Sequence, residues 1–123
     1  MAVDADIYQT LTTSVTLTAL TTAIYPEHGW QEDQAPAVVY YRAPGGERIH
    51  DLKGYAGKEL VPVEIAAYTT AVDARRVLAD AVISAMTGST RFTCRMAAPP
   101  FDDYDPDTKI YERTMLFDVW NTT

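Results

Sequence analysis

The stretch of residues 109–120 constrains the fold more than any other part of this sequence. Its odd positions from Tyr111 to Val119 read Tyr, Arg, Met, Phe, Val, so strict alternation brings Met115, Phe117 and Val119 onto one apolar face. At about 3.3 Å per residue, twelve extended residues span roughly 40 Å, which is long for a chain of 123 residues. We therefore expect a strand that crosses the whole sheet, with the other elements paired beside it or packed on it.

Composition sets broad limits on class and partners. The chain is 47% hydrophobic and 22% charged, which suits one ordinary domain with a buried core. Its net charge of -7 and its ten scattered basic residues argue against binding bare nucleic acid. The first six residues are acidic where a signal peptide would be basic, and no apolar run approaches the ~20 residues of a membrane span. We expect a cytoplasmically made protein without a membrane partner.

The periodicity of apolar residues, together with the glycines and prolines that end helices and strands, divides the chain into helices and strands. A helix is predicted over residues 71–87, with Ala74, Leu78, Ala81, Val82 and Ala85 as its apolar stripe and Gly88 as its stop. Strands are expected over 37–42, 59–68 and 91–96, and a first helix over 4–13. This order predicts an α+β domain over residues 1–123, in which an antiparallel sheet has helix packed on one face.

Residues 13–20 are open to two interpretations. Alternation of Val15, Leu17 and Ala19 with threonines has the period of a strand, and seven threonines lie between positions 10 and 22. A short second helix that begins after Ser14 and buries Leu17 and Leu20 fits equally well. Local pattern does not decide between them.

Residues 44–58 are predicted to form a mobile loop. Pro44-Gly45-Gly46 is a strong turn signal, and Gly54 and Gly57 interrupt the later part. Residues 48–52 form a weaker segment that could continue as a hairpin arm. Loops of this length are functional or disordered.

The sequence offers no catalytic, cofactor or metal site. His28 and His50 lie in loop-like surroundings without a partner at ligand spacing. Four aspartates between positions 102 and 107 are read as a turn around Pro106, because a calcium loop would need glycine where Thr108 stands and glutamate where Thr114 stands.

The serine, cysteine and glutamate side chains do not indicate a catalytic site either. None of the serines at positions 14, 84 and 89 has a nucleophile-elbow setting. Cys94 falls on an apolar strand face, where a thiol is normally filler, and it has no cysteine to pair with. Glu64 and Glu112 are single acids on strand faces. We expect a protein that is not an enzyme.

Tyrosine is frequent, with eight residues in the chain. Aromatic side chains of this type favour interfaces, and they also simply favour strands. Both explanations apply to the members in or beside strand and loop segments, which are Tyr40, Tyr41, Tyr55, Tyr104 and Tyr111.

Several ordered segments together resemble one family. They are a leucine-bearing start that closes on Ile24-Tyr25-Pro26, the strand Pro36-x-Val38-Val39-Tyr40, the glycine-bearing segment 52–57, the strand 61–68, the helix segment from Ala74 to Val82, the run Tyr104-Asp105-Pro106-Asp107-Thr108, and the ending Tyr111, Arg113 and Phe117-Asp118-Val119-Trp120. In order and spacing the chain resembles the tail-terminator (tail-completion, head–tail joining) family of long-tailed bacteriophages and related phage-derived particles.

The resemblance implies a twisted antiparallel sheet with one long helix and short N-terminal helices on one face. It also implies a structural virion protein whose hexameric ring caps the head-proximal end of the tail tube, stops tube polymerisation and joins the tail to the head. Its partners would be other copies of itself, the tail tube protein and a head connector or stopper protein. It brings no catalytic residue, cofactor or metal.

Genomic DNA would pass through the lumen of such a ring without specific binding. Six chains at -7 each carry -42, which repels phosphates. If the chain forms this ring, the segment 44–58 is the expected subunit interface, with Arg48, Asp51, Lys53 and Tyr55 as its candidate residues.

Two other functions fit the same residues. A head-completion stopper ring is a related virion role. A monomeric protein-binding module with a tyrosine-rich face belongs to a different class, and its mass would not depend on concentration.

Overall fold

The structure is a computed structural model, and it describes the backbone of residues 3–26, 35–42, 47–51 and 54–120. Side chains are described over residues 5–26, 35–40 and 61–120. The elements in chain order are α1 (Val3–Thr13), α2 (Val15–Thr18), β1 (Ile24–Pro26), β2 (Ala37–Arg42), β3 (Glu47–Asp51), β4 (Gly54–Thr69), α3 (Val72–Thr87), β5 (Thr93–Met96), β6 (Phe101–Asp105) and β7 (Ile110–Trp120).

Strand β7 organises the sheet, as its alternation predicts. It pairs antiparallel with β4 on one side, and β5 and β6 share its other side. Strand β2 pairs antiparallel with β4, and β1 completes the order by lying parallel to β2. The predicted α+β class with one long helix is confirmed, and the parallel β1–β2 pair makes the sheet mixed at that edge.

The core lies between one face of this sheet and the helices. Met115, Phe117 and Val119 have no accessible surface, so the predicted apolar face of β7 is confirmed. Alternate residues of β4 join them, and so do side chains from α1, α2 and α3. Burying these aliphatic side chains supplies the main driving force for folding, about 1.5–3 kcal/mol for each large one.

Helix α3 packs on the sheet with an apolar stripe that is slightly rotated from the predicted one. Leu78, Ala81 and Val82 are buried as predicted, and Ala85 is half-buried against the core. Ala74 is exposed, whereas Ala79 and Met86 are also buried. The helix ends at Gly88 as predicted, although the φ of Gly88 is -91°. A Cβ there would lie 3.0 Å from the Ser84 carbonyl oxygen, so glycine suits this close approach and not a left-handed turn.

The threonine-rich segment adopts the helical alternative over Val15–Thr18. Leu17 is buried as that alternative predicts, whereas Leu20 lies beyond the helix and is 39% exposed. The Ser14 side chain accepts a hydrogen bond from the Leu17 amide at 3.3 Å and so caps α2. Thr12, Thr13 and Thr18 donate their hydroxyls to carbonyls four residues earlier, at 2.6–2.8 Å, which satisfies these hydroxyls within the helices.

Residues 44–58 are more regular than a loop. Residues 47–51 form β3, so the hairpin arm expected over 48–52 is confirmed over residues 48–51. Residues 54–58 are extended as the first part of β4 where a loop was predicted. Pairing satisfies the backbone of both strands, which outweighs the local preference of the glycines for a loop. Residues 43–46 and 52–53 lie outside the described residues, and the predicted mobility stays a prediction.

The aspartate-rich segment is also more regular than expected. Residues 101–105 form β6, and the turn is confined to the residues that follow it. Within that turn the Lys109 amide donates to the Asp105 carbonyl at 2.7 Å, and Lys109 has a φ of 59°. In the described part of the chain, no helix has the length and apolarity needed to cross a membrane.

Candidate protein-interaction surface

The sheet has one face without helices among the described elements. Side chains alternate along each strand, so the residues between those of the core point away from α1, α2 and α3. We call this surface the helix-free face. Its described members are Tyr25, Ala37, Val39, Pro62, Glu64, Ala66, Tyr68, Thr93, Arg95, Phe101, Asp103, Asp105, Ile110, Glu112, Thr114, Leu116, Asp118 and Trp120.

The middle of the helix-free face is a row of small residues. Val39, Ala66 and Thr114 stand opposite one another on β2, β4 and β7, and each is at most 3% exposed. The row ends on the edge strand β6 at Phe101, which is 53% exposed. Of these four residues, Phe101 therefore offers the accessible apolar surface.

One end of the helix-free face is acidic. Tyr68, Glu112 and Asp103 form a row across β4, β7 and β6. The Tyr68 hydroxyl donates to the Glu112 carboxylate, which also accepts from Thr114 at 3.3 Å. Asp103 and Glu112 are cross-strand neighbours on β6 and β7, and like charges at such positions destabilise a sheet.

Two groups of the helix-free face are costly to ionise. Burial, followed by the negative charge of Glu112, raises the pKa of Glu64 above its ordinary value. The same two causes raise the pKa of Tyr68, helped by its hydrogen bond to Glu112. The folded state therefore favours the neutral form of both groups.

A cleft opens where this acidic row meets the β6–β7 turn. Its volume is about 360 Å³, and its lining includes the carboxylates of Asp103, Asp105 and Glu112. Ile110 and Tyr68 add apolar surface. A cleft of this composition suits a long cationic side chain, whose stem is apolar and whose head is charged.

The other end of the helix-free face carries its one described basic residue. Arg95 lies 3.4 Å from the Asp118 carboxylate and 5.9 Å from the centre of the Trp120 ring. This end is therefore balanced in charge, in contrast to the acidic end.

The edge strand β6 is fixed to the core by a cluster on the opposite, helix-bearing face. Asp102 receives two hydrogen bonds from Arg113, at 2.7 and 3.1 Å, and a third arginine nitrogen, from Arg75 of α3, lies 3.4 Å away. The rings of Tyr104 and Tyr111 stack at 4.6 Å beside them, and Arg75 lies over Tyr111. Hydrogen bonding to Arg113 lowers the pKa of Asp102.

The predicted interface residues fall on the β3–β4 hairpin. Arg48 stands opposite Glu59, and Asp51 stands opposite Gly54, while Tyr55 pairs with His50. These are backbone positions, since the side chains of residues 41–60 are not described. Lys53 lies outside the described residues, as does His28. The hairpin brings three of the four candidates onto one two-stranded ribbon.

The tyrosines do not form one face. Tyr40 belongs to the core, at 4% exposed, which corrects its place among the interface candidates. Tyr104 is 41% exposed and its neighbour Tyr111 is half-buried. The side chain of Tyr41 is not described. The pairing of the strands decides whether a tyrosine lies on the core face or on the other face of the sheet. The number of tyrosines alone could therefore not separate buried ones from exposed ones.

Other groups considered for chemistry have structural partners. The Ser89 hydroxyl is bonded to Thr10 at 3.0 Å and to the Arg91 amide at 3.1 Å. Burial raises the pKa of the Cys94 thiol to about 12, with Asp118 as a lesser cause. Among the described residues, no group of three or more histidine, cysteine or acidic side chains is placed to hold a metal ion.

The fold and this face define an α+β domain with helices on one side of its sheet and a charged second side that no described helix covers. No family model matches the chain, and no curated protein matches it. Its fold is similar to that of a chain in the solved structure described as the virion of a native gene transfer agent (GTA) particle. The TM-score is 0.70 at 17% identity, with 98% of this chain and 94% of that chain covered. The likeness is one of fold and extends over both chains almost end to end.

Proposed function

We propose that this chain is a structural subunit of a phage-like particle, and specifically a ring-forming tail terminator. In this role it caps the head-proximal end of the tail tube, stops tube polymerisation and offers its other side to the head connector. The observation that carries the proposal is the end-to-end fold similarity to a chain of the gene transfer agent virion. The ordered resemblance of segments such as Tyr104–Thr108 and Phe117–Trp120 to the tail-terminator family supports the finer role.

Surface character supports an assembly role. The helix-free face carries the exposed aromatic ring of Phe101, and aromatic side chains are enriched at protein interfaces. The β3–β4 hairpin supplies a second surface, with Arg48, Asp51, Lys53 and Tyr55 as the proposed interface residues. This part of the proposal fails if charge reversal at Arg48 and Lys53 leaves assembly unchanged.

The net charge suits a ring that DNA traverses. Each chain is at -7, so a ring of any size is strongly negative and does not retain phosphates that slide through it. The tail tube protein and the head connector are the expected protein partners, and the head–tail junction of the particle is the expected location.

The test is electron microscopy of lysates from a producing strain that lacks this gene. Overlong tails without heads are the expected result, because nothing would then stop tube growth. Normal tails beside heads that have lost their DNA would instead assign the chain to head completion. Intact particles of normal length would overturn the virion proposal and favour a protein-binding module.

Complementation makes the test specific. A plasmid copy of the unaltered gene should restore tail length. A copy with a stop codon early in the chain is the matched control and should not.

A further inference from the structure

Strands β5 and β6 together form one long open edge of the sheet. Both pair antiparallel with β7, one after the other along its length, and β7 is the one described strand with which either of them pairs. We call residues 93–105 the β5–β6 edge. Strand β7 has eleven residues, so at about 3.3 Å each this edge is roughly 36 Å long. The open side of such an edge presents backbone N–H and C=O groups that can pair with a strand of another molecule.

The β5–β6 edge is accessible to a neighbouring molecule. All five residues of β6 are exposed, including 53% of Phe101 and 41% of Tyr104. Thr93 and Arg95 of β5 are exposed as well. A long accessible edge promotes edge-to-edge aggregation unless the chain itself blocks the pairing. We therefore looked for residues that block it.

Two adjacent prolines interrupt the edge between β5 and β6. Pro99 and Pro100 are exposed, and neither has a backbone N–H to donate to an added strand. They also lie in a bulge, because five steps along the edge, from residue 96 to residue 101, accompany three steps along β7, from residue 117 to residue 114. A bulge bends the edge and increases its local twist, so a straight partner strand cannot follow it.

Charged side chains protect the β6 part of the edge. Three of its five residues are aspartates, and among the described residues no ion pair neutralises Asp103 or Asp105. A strand added here would take these carboxylates out of water, which costs free energy unless the strand supplies cations.

Two backbone groups of β6 also have side-chain partners. The Tyr104 amide donates to Asp103 Oδ1 at 2.8 Å, and the Asp103 carbonyl accepts a hydrogen bond from the Arg75 guanidinium at 3.4 Å. A further strand would have to compete with these contacts for the same donor and acceptor.

We infer that the β5–β6 edge is protected against strand addition, by the prolines at its centre and by the aspartates of β6. Copies of this chain therefore associate without extending the sheet across this edge. The inference goes beyond the proposed function and applies to the single chain, whether or not it forms a ring.

The test removes each kind of protection from the full-length chain. The first variant carries Pro99→Val and Pro100→Val, which returns two N–H donors and introduces β-branched residues that favour strands. The second variant carries Asp103→Asn and Asp105→Asn. It removes two charges, while an amide oxygen at position 103 can still accept from the Tyr104 amide.

Sedimentation, thioflavin T fluorescence and electron microscopy provide the readout, at a temperature well below the unfolding midpoint of each variant. Both variants should move from the supernatant to the pellet and bind thioflavin T at a concentration at which the unaltered chain stays in the supernatant, because strands of neighbouring copies then pair. Near-UV circular dichroism before incubation checks that each variant starts from the native fold. If the proline variant does not fold, the asparagine variant decides.

The matched controls make the same chemical changes away from the edge. Pro106→Val replaces an exposed proline in the β6–β7 turn, and Asp73→Asn with Asp80→Asn removes two exposed charges from α3. Neither control should increase the sedimented protein. Adding Ala97→Lys to the proline variant places a charge on the edge at an exposed position that pairs with β7, and it should return the protein to the supernatant.

The outcomes are separate from those for the proposed function. Aggregation of a folded edge variant, with controls that stay in the supernatant, supports the inference. The inference is overturned if every folded edge variant stays in the supernatant, if the controls aggregate to the same extent, or if Ala97→Lys does not relieve the aggregation of the proline variant. Tail length in the strain that lacks this gene tests the proposed function alone, so either can fail while the other stands.

Discussion

Asp102 is the residue that ties the edge strand β6 to both β7 and helix α3. It accepts two hydrogen bonds from Arg113 and lies within 3.4 Å of Arg75, whose Nε is buried without a hydrogen-bond partner. Removing the carboxylate would leave two arginines side by side with no charge between them. The Asp102 carboxylate therefore contributes to the stability of the chain although it is partly exposed, because it is the negative partner of both arginines.

We predict that Asp102→Asn destabilises the chain by about 1 kcal/mol at pH 7, the usual size for a partly exposed, bidentate ion pair. Arg113 lowers the pKa of Asp102 in the folded state, so the stabilisation is present above its ordinary value of 3.8 and is lost as the pH falls through the folded value. Denaturant unfolding from pH 7 to pH 2 should show the two proteins converging at low pH. Asp80→Asn, which removes an exposed partner 3.9 Å from Arg76, is the control and should change little. A pH-independent difference for Asp102→Asn would contradict the prediction.

Cys94 gives a second prediction at the residue scale. Because burial raises its pKa to about 12, only about one thiol in ten thousand is ionised at pH 8, and the thiolate is the reactive form. A disulfide reagent such as DTNB should react with the native protein at least a hundredfold more slowly than with the denatured chain. Equal rates in the two states would show that the thiol lies open on the surface.

At the scale of elements, α2 illustrates how one side chain decides between two structures. The segment has the alternation of a strand, yet it is helical because Ser14 caps it and the threonine hydroxyls find carbonyl partners. A four-residue helix has little stability of its own, so its cap carries a large share of what holds it.

Ser14→Ala should therefore cost about 1 kcal/mol in the free energy of unfolding, the typical value for a lost N-cap. Ser14→Thr keeps a capping hydroxyl, so its loss in the free energy of unfolding should be only a few tenths of the loss for Ser14→Ala. Thermal and denaturant unfolding measure both. If the alanine and threonine variants are equally stable, the cap is not what holds α2.

The elements also show what sequence alone could predict. Strands β4 and β7 follow from alternation because their pattern is set by one buried face. Strand β6 does not, since all five of its residues are exposed and three are aspartates; it is extended because β7 supplies the pairing. The rotated stripe of α3 likewise reflects where the sheet lies and not the helix's own pattern.

The acidic row lay beyond sequence reasoning for a similar reason. Tyr68 and Glu112 are 44 positions apart, and only the register of β4 against β7 brings them together. A shift of one residue would send either side chain to the other face. Read singly, Glu64 and Glu112 are ordinary strand acids. The hairpin candidates were named from composition, and their placement on one ribbon needed the pairing of β3.

At the scale of the whole molecule, the chain is acidic, and the helix-free face shares this excess of negative charge. The described residues of that face include five acids, Glu64, Asp103, Asp105, Glu112 and Asp118, against one base, Arg95. Like charges gathered on one face oppose the compact state, and salt weakens this repulsion because exposed charges are screened within about 8–10 Å at physiological ionic strength.

Glu64→Gln tests this opposition in one substitution. Burial and Glu112 raise the pKa of Glu64, so protonation stabilises the folded chain; this contribution is complete below the ordinary value of 4.5 and is lost as the pH rises through the folded value. At pH 7 the ionised carboxylate is therefore a cost to the single chain. The neutral amide should raise the stability of the unassembled protein by about 0.5 kcal/mol, with the gain vanishing below pH 4.5. Denaturant unfolding between pH 3 and pH 8 measures this difference. A glutamine variant that is less stable than the unaltered chain at pH 7, or a difference that does not change with pH, would contradict the prediction.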